Sequence, residues 1–482
     1  MASGRAPCAS PAHSRRWLAL GAALGLLPAG LAQAQTPGTE IEKLKATIEQ
    51  MQKQLDEQLR KIEALETAQT TKPAEMVPAS LTVDLDRPPS FIVDKNAIRP
   101  GQRLAPRYDN APIAPALPGF WRIPGTDMIF RLGGDAIGVF IVTSKLMSGA
   151  TTWFITSAIP VSGQQYYDSG VQFTGTANQS DINFEFRAPT PVGQIRVVYR
   201  NDFAQPGSSA FVYHAKDFYV QAANLLVGYT ETVFADIDAD PDTLDYEGPN
   251  ASVSLRHFLV RYAVGAYRSG RVDLILSFSL ENPASQIPSS VGTPRSIAPD
   301  VGIAARLEGR RGHLQLATIL RAIGSQSSTS ADSQTVFGWG LSFTGNLNVP
   351  WGDFFSVQVA GGQGAAAYFN DTGGLGLDAA LSSSGQLTAI PLLGVMAGFT
   401  HQWAPRWAST ASYGYLTIDS VPYQASIGSA GFQRSQYASL NVVFRPFKHL
   451  LVGVEGLWGY NRNVSGASGQ AWRGQLNVQF SF

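Results

Sequence analysis

The last thirteen residues, Gln470 to Phe482, alternate without a break, with Trp472, Gly474, Leu476, Val478, Phe480 and Phe482 on one face and Arg473, Gln475, Asn477, Gln479 and Ser481 on the other. Such a strand is apolar on one side and polar on the other and ends on an aromatic residue, as the closing strand of a transmembrane β-barrel must. Lipid offers no partners to backbone N–H and C=O groups, so a sheet spans a bilayer only if it closes on itself and leaves no edge. Strands of soluble sheets usually run about five or six residues, and alternation over twice that length argues against a sandwich.

The same alternation recurs upstream. Ile182, Phe184 and Phe186 alternate with Asn183, Glu185 and Arg187, and Ile195, Val197 and Tyr199 with Arg196, Val198 and Arg200, which makes a hairpin across Pro189–Gly193. Val272, Leu274, Leu276, Phe278 and Leu280 repeat the pattern, as do Leu314, Leu316 and Leu320. Segments of this kind fall near residues 128–144, 181–188, 194–203, 211–222, 225–234, 252–264, 271–281, 299–309, 312–322, 336–348, 352–362, 391–404, 406–418, 434–446, 448–461 and 470–482. About sixteen antiparallel strands make a barrel wide enough to leave an aqueous channel. The 48 Gly and the 25 Phe, 16 Tyr and 9 Trp suit such a wall, and no mature segment is apolar enough for a spanning helix.

The region before the barrel divides into three. Residues 1–34 read as a signal peptide, with Arg5, Arg15 and Arg16 before the apolar run Trp17–Leu31 and a small-x-small cleavage pattern at Ala32-Gln33-Ala34. Ordinary secretion is favoured over a twin-arginine route, because a barrel must cross the inner membrane unfolded. Cys8 is the single cysteine and lies in that segment, so the mature chain, from Gln35, has no disulfide and no thiolate site. Residues 35–66 form a short periplasmic coiled coil, with Ile41, Ile48, Leu55 and Ile62 at a positions and Leu44, Met51, Gln58 and Leu65 at d positions, which points to a homo-oligomer. Residues 67–126 are a proline-rich spacer, and 127–482 the barrel. The net charge of zero implies neither nucleic acid nor an anionic surface as partner.

Charge is unevenly distributed. From Phe120 onward there are 19 Arg and 3 Lys against 24 Asp and Glu, and six of the acids crowd one loop: Asp236, Asp238, Asp240, Asp242, Asp245 and Glu247. Strand parity turns Arg187, Arg196, Arg200, Arg306, Arg321 and Arg473 inward; Arg256 and Arg261 have opposite parity, so one needs a bulge or points elsewhere. The expectation is a loop folded into the lumen, its acids facing inward arginines across a constriction and setting up a transverse field that orients charged solutes. Some of the arginines are expected instead to pair with wall acids or with lipopolysaccharide at the rim. Asp236, Asp238, Asp240 and Glu247 also fit positions 1, 3, 5 and 12 of an EF-hand, but Pro241 stands where that loop needs glycine. No metal, cofactor or catalytic set is expected.

Several motifs together resemble a known family. The export signal, coiled coil and spacer, followed by Ile123-Pro124-Gly125-Thr126-Asp127 and Leu132-Gly133-Gly134, look like those of the DcaP-like trimeric porins of Gram-negative outer membranes. So do Asn183-Phe184 with Thr190-Pro191 and Gly193, Asp242-Thr243-Leu244-Asp245 with Gly248-Pro249-Asn250, Leu255-Arg256 with Arg261-Tyr262, and Leu280-Glu281-Asn282-Pro283. The resemblance implies a sixteen-stranded trimer in outer-membrane lipid and lipopolysaccharide that admits small anions, dicarboxylates in particular. The competing class is an outer-membrane barrel enzyme, a hydrolase. Against it, His214, His257, His313, His401 and His449 are scattered, without metal spacing or an evident triad. A plugged receptor would need about twenty-two strands.

Overall fold

The computed structural model describes Phe120–Phe482, apart from residues 148, 150, 192, 270, 271, 329, 330 and 350–352, together with Lys53. The signal peptide, the coiled coil apart from Lys53, and residues 67–119 of the spacer lie outside the described residues.

Sixteen antiparallel strands form one closed ring: β1 (Ile129–Thr143), β2 (Asp181–Thr190), β3 (Gly193–Asp202), β4 (His214–Ala222), β5 (Leu225–Glu231), β6 (Arg256–Arg268), β7 (Val272–Glu281), β8 (Asp300–Gly309), β9 (Gly312–Gln326), β10 (Ser333–Asn348), β11 (Phe354–Gln363), β12 (Pro391–Ala404), β13 (Trp407–Ile418), β14 (Phe432–Phe447), β15 (Leu450–Asn463) and β16 (Ser468–Ser481). Every segment read from the sequence is a strand. The ring closes where β1 pairs with β16, from Asp135 opposite Ser481 to Thr143 opposite Arg473. On its other side β1 pairs with β2 from Ile129 opposite Arg187 to Asp135 opposite Asp181, and then with a short segment, Gln172–Thr176. Trp121 and Arg122, in the stretch read as spacer, already pair with Phe130 and Ile129.

Alternation decides which side faces what. Phe140, Phe218, Phe258, Leu280, Leu316, Phe343, Leu440, Val454 and Trp472 point outward and are exposed, whereas Glu185, Arg187, Arg196, Asp217, Gln358, Asn441, Glu455 and Arg473 point inward and are buried. Aromatic residues ring both ends of the wall. Trp403, Trp407, Phe447, Phe480 and Phe482 flank the tight turns, and Phe173, Phe337, Tyr413 and Trp472 the other end. An apolar exterior between two aromatic girdles is the surface a bilayer requires.

Tight turns of two to five residues join the strands at one end, as at Thr190–Gly193, Gly309–Gly312 and Phe447–Leu450. The connections at the other end include the long loops 144–180, 232–255, 282–299 and 364–390. These loops do not stand away from the barrel. Val233, Phe234 and Val253 of one loop and Ala366, Tyr368, Phe369 and Leu377 of another form an apolar core with Ala317, Ile319, Leu392 and Leu416 of the wall. Phe154 and Ile159 pack likewise on Tyr437, Leu457 and Ala471. The inner face is therefore wet only in part, and Val198, Tyr219, Leu226 and Leu259 form a further buried apolar cluster on β3–β6.

Closure leaves little room at the seam. Gly134 exchanges backbone hydrogen bonds with Phe482 at 3.0 and 3.2 Å, and a Cβ built on it would lie 2.3 Å from the Asp181 carbonyl oxygen. Gly134→Val is expected to cost about 1–3 kcal/mol and to lower the fraction of protein migrating as a compact, heat-modifiable band after refolding; unchanged refolding would show that the seam tolerates a side chain.

Candidate functional site

The lumen is shaped by the loop 232–255, which leaves the wall after the short strand β5 and runs along the inner faces of β8 to β16. Phe234 lies over Gly340, Pro241 over Gly398, Leu244 over Gly453 and Asn250 over Gly414, and a Cβ on any of these glycines would come within 2.3–2.8 Å of the loop. Asn441 Nδ2 donates to the Asp242 carbonyl at 2.7 Å, Asn477 Nδ2 to the Leu244 carbonyl at 3.0 Å and Gln358 Nε2 to the Ala251 carbonyl at 2.6 Å. A loop inside a barrel must find partners for its backbone away from bulk water, and the inward Asn and Gln side chains supply them.

Most of the six loop acids hold this loop in place. Arg306 on β8 donates to Asp236 at 2.8 Å and to Asp238 at 2.6 Å, and it also binds Glu308 at 2.5 Å. Asp236 accepts further hydrogen bonds from His313 Nε2 at 2.8 Å and Thr344 Oγ1 at 2.5 Å. Asp240 accepts from Ser252 Oγ at 2.9 Å, and Asp245 from the backbone N–H of Phe154 and of Gly248, both at 3.2 Å. Asp242 lies in the field of Arg445. The expected arrangement, acids facing inward arginines across a gap, is corrected here: Asp236 and Asp238 are in contact with Arg306, and Asp240, Asp245 and Glu247 are sequestered against the wall and the neighbouring loops. Burial explains the difference. A buried carboxylate without a cation or N–H donor is costly, so the chain brings the partners to it.

The titration of these acids follows their surroundings. Burial would raise the Asp236 carboxyl, but Arg306 and then His313 hold it well below the usual carboxylate range. Burial pushes Asp240 up to about 8, against the Ser252 hydrogen bond, and Asp245 up to about 6, against Arg473 and its backbone donors. Glu247 is raised by burial and then by its neighbours Asp245 and Asp371. The acids of the EF-hand pattern are thus dispersed. Asp238, Glu308 and His313 bring ligand atoms within 4.8 Å of one another, but the Arg306 guanidinium already bridges Asp238 and Glu308, so this cluster holds a cation of its own.

The inward arginines divide into two groups. Arg321 and Arg473 are enclosed beneath folded-in loops and do not meet the channel water. Arg321 is bonded to Asp300 and Asp378 at 3.0 Å each, and Arg473 donates to Thr143 Oγ1 at 3.0 Å and lies 5.0 Å from the Phe154 ring. The second group lies on β1–β6, where Arg187 and Arg196 are also buried but Arg131 and Arg200 keep part of their side chains exposed. Arg131 at 2.8 Å, Arg187 at 2.5 Å and Arg196 at 2.7 Å all bind Glu185. Arg187 and Arg196 stand directly opposite each other across the β2–β3 ladder, and the Arg131 side chain keeps 44% of its surface exposed. Arg200 lies 3.8 Å from Asp181 and 3.6 Å from Asp217, and Lys216 pairs with Asp202 at 3.2 Å. The parity conflict is resolved at a strand end. Arg261 is buried on the inward face, whereas Arg256, the first residue of β6, binds Glu231 at 3.0 Å where the chain leaves the loop.

Arg131 and Lys216 were not among the expected lining residues. Arg131 precedes the Leu132-Gly133-Gly134 turn of pattern, where alternation is interrupted, and Lys216 is turned inward by the bulge between Arg200 and Asn201.

No protein-family model matches the chain, and no curated protein does. Solved structures do. The outer membrane channel DcaP of Acinetobacter baumannii superposes with a TM-score of 0.65 at 19% identity, covering 75% of this chain and 99% of that one. The chain has the DcaP fold. An anion-selective porin from Comamonas acidovorans follows with a TM-score of 0.51 at 10% identity, covering 74% of this chain and 100% of that one.

Two outcomes follow from this geometry. Because the folded-state values of Asp240 and Asp245 lie above the ordinary one, the stability they lend is fully present in acid and is lost as pH rises through about 6 and then about 8. The protection factors of amides in residues 232–255, taken against the intrinsic exchange rate at each pH, should fall about tenfold between pH 7 and pH 9, and Asp240→Asn should remove the upper step; protection factors unchanged with pH would show that the loop is held independently of these acids. Arg321→Met leaves Asp300 and Asp378 buried without their cation and should cost about 3–5 kcal/mol in thermal or denaturant unfolding.

Proposed function

We propose that the protein is a porin of the Gram-negative outer membrane that lets small hydrophilic solutes diffuse through its lumen and prefers anions, dicarboxylates among them. The tight-turn end then faces the periplasm and the long loops the outside. The observation that carries the reading is the Glu185 cluster. Three guanidiniums share one carboxylate, so these four groups hold a net charge of +2, which the Arg131 side chain, 44% exposed, presents to the lumen. Arg131 is the member of the cluster that a passing anion can reach without displacing Glu185. Further along the same wall Arg200 keeps 21% of its side chain exposed and lies 3.6 Å from Asp217 and 3.8 Å from Asp181, so its guanidinium can still turn to the far carboxylate of a solute that carries two.

Further support comes from the shared fold with a channel described as DcaP and with a porin described as anion-selective. On this reading the subunits associate as a trimer. The hydrolase alternative finds less support. His214, His257, His313 and His401 each bind a carboxylate, and His449 the Ser481 carbonyl, but among the described residues none has a serine or threonine hydroxyl hydrogen-bonded to its other ring nitrogen.

The test is the reversal potential of single channels in a planar bilayer under a KCl gradient. The wild type should conduct in steps of three with an anion-biased potential, and a dicarboxylate on one side should block the current. Arg131→Gln with Arg200→Gln removes two partly exposed charges from the wall and should lower the anion-to-cation permeability ratio severalfold with little change in conductance; an unchanged ratio overturns the assignment.

A further inference from the structure

The outer face of the wall carries a charged pair that the channel does not use. Arg434, near the start of β14, and Arg462, near the end of β15, stand directly opposite each other in the ladder. Their neighbours Ser435, Tyr437, Asn461 and Asn463 are the buried, inward-facing residues, so both arginines point away from the lumen at the long-loop end. Among the described residues neither makes an ion pair. The Arg434 guanidinium lies over the Tyr460 ring, 6.0 Å from its centroid, and the Nε of each arginine is buried without a hydrogen-bond partner. Two like charges placed directly opposite each other repel, and an anion bound between the ends of the two guanidiniums would relieve that cost.

The surroundings identify the anion. The pair sits in the outer aromatic girdle, with the ring centroids of Trp458 and Trp472 6.3 Å apart and Tyr413 bonded to Gln436 at 3.0 Å. This is the level at which lipid headgroups meet a barrel. Toward the middle of the wall, on the same outward face, Gly456 stands opposite Gly474, and a Cβ on either would meet nothing within 4 Å. Leu440 and Val454, both exposed, flank this shallow trough. Paired guanidiniums above an apolar trough match a phosphate joined to acyl chains, and the planar fork of arginine suits a phosphate monoester.

We propose that Arg434 and Arg462 clasp the phosphate of an outer-leaflet glycolipid, lipid A in kind, whose acyl chain lies along the trough over Gly456 and Gly474. The inference does not depend on what passes through the lumen.

It is tested on the full refolded protein in detergent micelles, by native mass spectrometry and titration with lipid A, with the same lipid stripped of phosphate, and with inorganic phosphate. Lipid A should bind at least about tenfold more tightly than the dephosphorylated lipid, and inorganic phosphate should not displace it. Arg434→Gln with Arg462→Gln should weaken lipid A binding by a similar factor, and the lysine pair should restore part of it. Channel conductance serves as the folding control and should be unchanged, because both side chains lie outside the lumen. Equal binding by wild type and the glutamine variant overturns the proposal, as does displacement by inorganic phosphate. Dissociation of the oligomer in the glutamine variant without a change in lipid binding overturns it in favour of a protein interface.

Discussion

The structure depends on one constraint: each backbone donor and acceptor in the wall must find a partner within the wall. The pairing of β1 with β16 meets that demand at the last edge and turns fifteen ladders into a ring. Because β1 also bonds β2 below and the segment 172–176 above, a single strand fixes both the seam and the exit of the first long loop. The positions nearest the seam are correspondingly intolerant of added volume, as the Asp181 carbonyl beside Gly134 shows.

Closure at sixteen strands creates a second demand. A ring of that size cannot be filled by the side chains of its own wall, and this chain narrows it with loops. Moving a loop indoors transfers its peptide groups out of water, so the wall has to offer amide side chains, carboxylates and glycines in matching places. Glu455 of the wall accepts the N–H groups of Leu244 and Asp245 at 3.0 and 2.7 Å, and within the loops themselves Asp378 accepts those of Gln286 and Ala367 at 2.8 and 2.9 Å. Polar residues on the inner face therefore serve two ends. Those under a loop anchor it, and only those left uncovered can act on a solute.

That division explains which parts of the protein were legible in the sequence. The strands were, because one period of two encodes lipid on one side and lumen on the other, and each of the sixteen expected segments formed. The resemblance to the DcaP-like channels held at the level of fold. The roles of individual charges were harder to read. Parity placed Arg187, Arg196, Arg306, Arg321 and Arg473 inside, but a period carries no information about which inward residue a distant loop will cover. Arg321 meets Asp378, fifty-seven positions away, and no local pattern announces such a contact. The signal that could have helped was glycine at inward positions, since Gly340, Gly398, Gly414 and Gly453 mark the track of the loop. The bulge at Arg200 and Asn201, which brings Lys216 inward, had no counterpart in the alternation.

The acids of the lumen loop show how burial changes the meaning of a charge cluster. Read as composition, six carboxylates in twelve residues suggest a strong negative field. In the folded chain Asp236, Asp238 and Glu308 share the one cation of Arg306, and burial favours the protonated form of Asp240 and Glu247. The loop therefore contributes far less negative potential than its formula suggests, whereas the three guanidiniums around Glu185 keep their charge at any physiological pH. What a given carboxylate adds to the field of the lumen thus depends on its burial and its partners rather than on its place in the sequence.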